Sequence, residues 1–141
     1  MSSLERAIEI AVSAHKGQVD KAGKPYILHP LRLLFKMQTE NEMIAAVLHD
    51  VVEDTDWTIE KLEAEGFNEE VIEAVNLLTK TKNVSEKDYF KKIKLNKIAT
   101  KVKLADLEDN MDIKRIAHPK FRDYARLAKY LKYYNELKKL L

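Results

Sequence analysis

The sequence predicts an all-α fold, and two observations carry that prediction. Glycine and proline are scarce, three of each in 141 residues, which favours long helices over short strands joined by turns. Apolar residues recur three and four apart along most of the chain, often behind residues that cap helices. The result is about seven or eight helices in a single domain spanning residues 1–141, enough chain for one core and little for a second.

Each element has a local reason. Leu4, Ile8, Ala11 and Val12 keep helical spacing up to Gly17. GQVDKAGKPYILHP is the main loop, holding two of the three glycines and two of the three prolines. Pro30 suits the first turn of a second helix through roughly Met37, and a third runs from about Glu42 to Glu53. Thr58 caps a short helix stopped by Gly66, and Asn68 caps the next, ending near Thr79. Ser85 with Asp88 resembles a capping box for a helix through Lys94. Another covers about Asn96 to Asp109. Pro119 opens the last, whose apolar positions include Phe121, Tyr124, Leu127, Leu131, Tyr134 and Leu137.

Bulk properties narrow the function. A net charge of +2 gives no strong pull towards nucleic acid or anionic membrane. The absence of cysteine excludes disulfides and thiolate ligands or nucleophiles. The N-terminus lacks the basic start and apolar run of a signal peptide, and no apolar run is long enough to span a bilayer. A cytoplasmic protein is expected.

Three helices each aim a polar residue along an apolar line. His15 follows Leu4, Ile8 and Ala11; His49 lies between Ala45 and Val52; Asp106 follows Ala99 and Val102. A buried carboxylate needs a cation or several donors. Asp50 points about 100° from His49 on a helix, so one turn can flank an ion. His15 and Asp106 would complete two imidazoles and two carboxylates, a set suited to manganese, iron or zinc. Such an ion could polarise a phosphoryl oxygen and activate water. Glu53 and Asp54, one turn beyond His49 and Asp50, could serve that water or hold the outer shell. Spacing alone leaves metal binding and a paired buried network both open.

AHKGQVDKAGKPYILHP, AAVLHDVVEDTDWT, the LTK of Leu78–Lys80 and VKLADLEDNM, in that order, resemble the hydrolase domain of stringent-response (p)ppGpp enzymes of the Rel/Spo type, in the HD superfamily of metal-dependent phosphohydrolases. The resemblance implies a compact HD-domain helical bundle with a manganese site made by His15, His49, Asp50 and Asp106. It also implies that Glu53 and Asp54 serve the attacking water. The family reaction removes the 3′-pyrophosphate from guanosine tetra- or pentaphosphate, giving GDP or GTP and pyrophosphate. Lys21 would meet phosphates, Asn110 the nucleotide, and Thr79 and Lys80 would line the pocket. The length is similar to the family's small stand-alone hydrolases and leaves no room for a synthetase domain.

Two positions depart from the family pattern. Where an Arg-Lys pair is common, with the Arg lying against guanine, this chain has Asp20–Lys21. Leu107, Glu108 and Asp109 follow Asp106 where a basic residue is common. Related small HD enzymes act on other nucleotides, including phosphate removal from NADPH, so another nucleotide is the alternative substrate; a non-catalytic nucleotide sensor is a third reading.

Other residues read as structural. His29 and His118, each before a proline, are expected to fix turns. Lys87, Lys91, Lys94, Lys97 and Lys101 read as a solvated face, although a basic nucleic-acid binder would use such a stripe with Tyr130, Tyr133 and Tyr134. The near-neutral charge counts against nucleic acid, and those tyrosines read as packing residues, partly exposed or at the contact of a homo-oligomer. Arg115 could reach phosphates or pair with an acid.

Overall fold

The computed structural model describes residues 3–141; Met1 and Ser2, the start of the N-terminus read above for a targeting signal, lie outside the described residues. Nine α-helices and one 3-10 turn make up the described chain, with a single isolated bridge between Val19 and Pro25 and no strand among the described residues. The helices are α1 (Leu4–Ala14), α2 (Leu28–Phe35), α3 (Glu40–Leu48), α4 (Val51–Asp54), α5 (Ile59–Ala64), α6 (Glu69–Leu78), α7 (Glu86–Ile93), α8 (Lys97–Asn110) and α9 (Phe121–Lys138), with the 3-10 turn Ile113–Arg115 before α9. No helix among the described residues is long and apolar enough to cross a membrane.

The expected caps form. Thr58, Asn68, Ser85 and Asn96 each accept a hydrogen bond from a backbone N–H in the first turn of their helix, satisfying donors that a helix start leaves free. Thr39 and Glu42 add a reciprocal capping box to α3. Gly17 follows α1 at φ +86°, a conformation costly for a side chain.

Helices α3 and α8 form the middle. Ile44 to Leu48 are all buried, and α3 is enclosed by α1, α2, α6 and α8. Helix α8 buries residues on most of its circumference, from Ala99 to Asp109. Glu42 of α3 pairs with Lys101 of α8 at 2.9 Å, and Arg6 of α1 with Glu65 after α5 at 2.8 Å. Lys87, Lys91, Lys94 and Lys97 are exposed, the solvated face expected, while Lys101 is half-buried.

Two boundaries differ from expectation in ways that shape the site. The second helix begins at Leu28, two residues before Pro30, so His29 is helical. The helix expected over Glu42–Glu53 breaks at His49–Asp50 into α3 and α4. There the His49 Nδ1–H donates to the Ala46 carbonyl at 2.7 Å, while the His49 amide reaches the same oxygen at 3.5 Å. Side chain and backbone compete for one acceptor, and the turn tightens.

Candidate metal centre and the cavity around it

Helices α2, α4 and α8 and the turn between α3 and α4 bring His29, His49, Asp50, Glu53, Asp54 and Asp106 into the lining of one cavity of about 420 Å³. The apolar steps expected to bury His49 and Asp106 do so, and His29 is buried beside them. Ligand atoms of His29, His49 and Asp106 lie within 4.8 Å of one another. His29 Nε2 is 2.9 Å and His49 Nε2 3.6 Å from Asp106 Oδ1. Asp50 Oδ2 flanks both rings, 2.9 Å from His49 Nε2 and 4.0 Å from His29 Nε2.

The outer atoms are already occupied. His29 Nδ1–H donates to Asp109 Oδ2 at 2.6 Å, and Arg32 holds that carboxylate with two further hydrogen bonds of 2.7 and 2.9 Å. With Nδ1 of His49 on Ala46, both rings turn Nε2 inward, the arrangement that second partners impose on metal-binding histidines. Lys103 takes Asp106 Oδ2 at 2.9 Å, and Asn110 reaches Asp106 Oδ1 at 2.9 Å. The Tyr26 hydroxyl donates to Asp50 Oδ2. His49 Nε2 remains buried without a hydrogen-bond partner although two carboxylates are close to it. A buried orphan atom in such company fits a cation better than a closed polar network. The nitrogen and oxygen donors suit a divalent transition metal.

The electrostatics agree. Burial opposes charge on His49, yet Asp50 and Asp106 outweigh it and hold the imidazole well above its ordinary range. Burial likewise opposes charge on His29, and hydrogen bonds to Asp106 and Asp109 raise it. Asp106 is held well below the usual carboxylate range against burial, chiefly by Lys103, His29 and His49. Asp50 is lowered against burial mainly by His49. Protons thus offset negative charge where a cation would.

Glu53 and Asp54 line the same cavity, and both carboxyls are pushed up by burial. Asp50 adds to each; the Lys80 amide, donating to Glu53 Oε1 at 2.7 Å, partly offsets the rise at Glu53. Lys21 and Asn110 are also in this lining. Lys80 borders a neighbouring cavity with Lys103 and Lys129, whereas the Thr79 hydroxyl donates back to the Val75 carbonyl at 2.8 Å.

His15, expected among the ligands, is buried at the C-terminus of α1 but is not in the converging set. Its Nδ1 pairs with Gln18 at 2.8 Å, and its ring packs on Tyr26 with centroids 4.9 Å apart. It therefore touches the centre through Tyr26. His29, expected to fix a turn, occupies the centre itself. Its signal was present: His29 and Leu33 step by four along the buried face of α2 and Met37 continues the step just past its end, but a helix start placed at Pro30 left His29 outside the pattern. Tyr26 and Lys103 carried no periodic signal of a role.

Fold and centre together define a helical domain built around a divalent-cation site. The chain belongs to the HD domain family, whose model matches residues 7–109. It is 38% identical over 118 residues to a guanosine-3′,5′-bis(diphosphate) 3′-pyrophosphohydrolase of Aquifex aeolicus, covering 77% of this chain and 17% of the relative. The homonymous protein of Vibrio cholerae is 34% identical, with 96% and 22% covered. The chain thus spans about a fifth of the length of these curated relatives. Among solved structures, one described as a metazoan ortholog of SpoT that hydrolyses ppGpp shares the fold at a TM-score of 0.69, 23% identity, and 99% and 94% coverage.

Proposed function

We propose that the chain is a manganese-dependent nucleotide phosphohydrolase that removes the 3′-pyrophosphate of guanosine tetra- or pentaphosphate, yielding GDP or GTP and pyrophosphate. The observation that carries this reading is the convergence of His29 Nε2, His49 Nε2, Asp50 Oδ2 and Asp106 Oδ1 beside two further carboxylates, Glu53 and Asp54, in one cavity. The activity named for the Aquifex and Vibrio relatives supports the substrate.

His29, His49, Asp50 and Asp106 would hold the ion, with His29 in the place that the resemblance gave to His15. When bound, the ion supplies Lewis-acid polarisation of a phosphoryl oxygen and a water of lowered pKa. Glu53 and Asp54 take the proton from the attacking water; burial keeps their carboxyls more basic than exposed ones, which suits a proton acceptor. The Lys80 amide fixes one Glu53 oxygen and leaves the other for water. Lys21 offsets phosphate charge from the cavity rim, and Asn110, fixed on Asp106 by two hydrogen bonds of 2.9 and 3.0 Å, orients the nucleotide. Lys80 shapes the adjoining wall, and Thr79, its hydroxyl on the Val75 carbonyl, serves by ending α6 beside it.

A second reading, another nucleotide such as NADPH, is favoured by Asp20, whose carboxylate is bound into its own loop. One experiment separates the two. Metal-stripped protein given manganese is offered guanosine tetraphosphate, GTP, GDP and NADPH, with products resolved by chromatography. GDP and pyrophosphate from the tetraphosphate are expected. Orthophosphate from NADPH with an inert tetraphosphate would move the substrate, and no turnover of any of them would remove the hydrolase.

A further inference from the structure

A second cavity of about 240 Å³ adjoins the metal centre and shares Lys21, Tyr26, His29, Asn110 and Tyr130 with it. Beyond the shared residues its lining combines apolar side chains, Val19, Ile113, Ile116 and Leu127 among them, with charged ones, Asp112, Asp123, Arg126 and Arg115. That volume is below the roughly 300–1,000 Å³ of pockets for whole drug-sized ligands, so it accommodates one ring system. A flat, weakly polar group joined to phosphates at the metal centre is a nucleobase.

Arg115 is held by its edges. Nη1 donates to Asp20 Oδ2 at 3.3 Å, Nη2 donates to the Asp109 carbonyl at 2.9 Å, and Nε is buried without a partner. The other Asp20 oxygen accepts from the Ala22 and Lys24 amides at 2.8 and 2.9 Å. Three donors thus hold the Asp20 carboxylate in place, and it ties the loop between α1 and α2 to the 3-10 turn before α9. Two of its five N–H donors are bonded at the edges and Nε is buried, while the residue lines the cavity, so a guanidinium held this way has its planar face to offer a ring beside it. Guanidinium planes stack on bases. Stacking is tolerant of base identity, because every base has a π-face.

We infer that Arg115 is the base-stacking platform of this site and that Asp20 is its positioning residue, so that purines are gripped with little discrimination between guanine and adenine. The inference rests on the nucleotide reading above and adds a residue that determines specificity.

The test is calorimetric binding of GDP, ADP and inorganic pyrophosphate to the manganese-loaded protein, as wild type and as Arg115→Leu, Arg115→Lys and Asp20→Asn. It is run beside KM and kcat for guanosine tetraphosphate. Arg115→Leu should weaken both nucleotides by roughly 5- to 160-fold, the range for loss of a stacked base, and leave pyrophosphate affinity in place. Arg115→Lys keeps the charge facing Asp20 but not the plane, and should lose nearly as much. Asp20→Asn should follow in the same direction, and the loss in turnover should fall on KM more than kcat. Lys114→Ala, at a neighbouring exposed side chain, should match wild type.

Full nucleotide affinity in Arg115→Lys, or an equal loss for pyrophosphate and GDP, would show a charge contact with phosphate and overturn the inference. Normal tetraphosphate turnover with unchanged KM in Arg115→Leu would overturn it alone. Wild-type protein that binds GDP through Arg115 but releases no pyrophosphate would support it while removing the reaction proposed above.

Discussion

Loading the metal centre should release up to two protons, one from each ligating imidazole, and the change of that count between variants identifies the ligands. In the ion-free protein both His29 and His49 are raised above the ordinary imidazole value of 6.5, held there by Asp106, Asp109 and Asp50. A ligating imidazole must be neutral at the coordinating nitrogen, so below the raised values each ring surrenders its Nε2 proton as the ion enters. Two protons make the apparent affinity fall by up to about 100-fold per unit of pH decrease, about 2.7 kcal/mol at 1.36 kcal/mol per proton. The same shifts fix the sign for stability. In the ion-free protein the two imidazoles contribute fully below pH 6.5, and that contribution is lost as pH rises through their raised values. Stabilisation by manganese should therefore grow with pH over that window. Calorimetric manganese titrations in two buffers of different ionisation enthalpy, between about pH 6 and pH 8, give the proton count directly. His29→Ala should release about one proton fewer than wild type in the low-pH part of that range and bind more weakly, whereas His15→Ala should match the wild-type count. A count that falls in His15→Ala and holds in His29→Ala would refute the ligand set.

Asp109→Ala, which strips the partner from His29 Nδ1, should weaken manganese binding by about 10- to 100-fold, as loss of an outer-shell partner does; equilibrium dialysis would show it, and wild-type affinity would remove Asp109 from the centre. Glu53→Gln should keep the ion and lose about 10²- to 10⁴-fold in kcat, the usual contribution of a positioned base. A rate within a few fold of wild type would pass that role to Asp54. Leu137→Ala should cost about 2–5 kcal/mol in urea unfolding, because Leu137 is the buried anchor of α9 on the described core. A loss well below 1 kcal/mol would mean that the stacked pair Phe90–Tyr133, with centroids 3.9 Å apart, docks that helix instead.

Much of this architecture is legible because helices record burial at intervals of three and four. Caps at Thr58, Asn68, Ser85 and Asn96 are local chemistry, and a sequence displays them directly. His49 and Asp106 interrupt apolar lines, so their burial follows from the period. What periodicity omits is where an irregular segment points. His29 sits one residue inside a helix start that Pro30 masks, and the break at His49–Asp50 depends on a side chain taking a carbonyl within its own turn. Tyr26 and Lys103 reach the centre from a loop and from the flank of α8, through contacts between residues 24 and 3 positions apart that no repeat encodes.

The acidic residues around Asp106 show why the departures from the family pattern do not dismantle the site. Asp109 puts a carboxylate behind His29, where it orients Nδ1 and makes the ring a better donor to a cation. That extra negative charge is answered by Arg32 and Arg115, the first by two hydrogen bonds to the carboxylate and the second at 3.7 Å from Oδ2. Arg115 in turn requires a partner on its far side, and Asp20 is that partner. The unusual acids at 20 and 109 are therefore one connected change: both bind a single arginine, which leads from the histidine of the metal centre to the wall of the cavity beside it. An isolated Asp20→Arg substitution would set two cations against each other there, so restoring the common residue should lower nucleotide affinity rather than raise it unless Arg115 is changed as well.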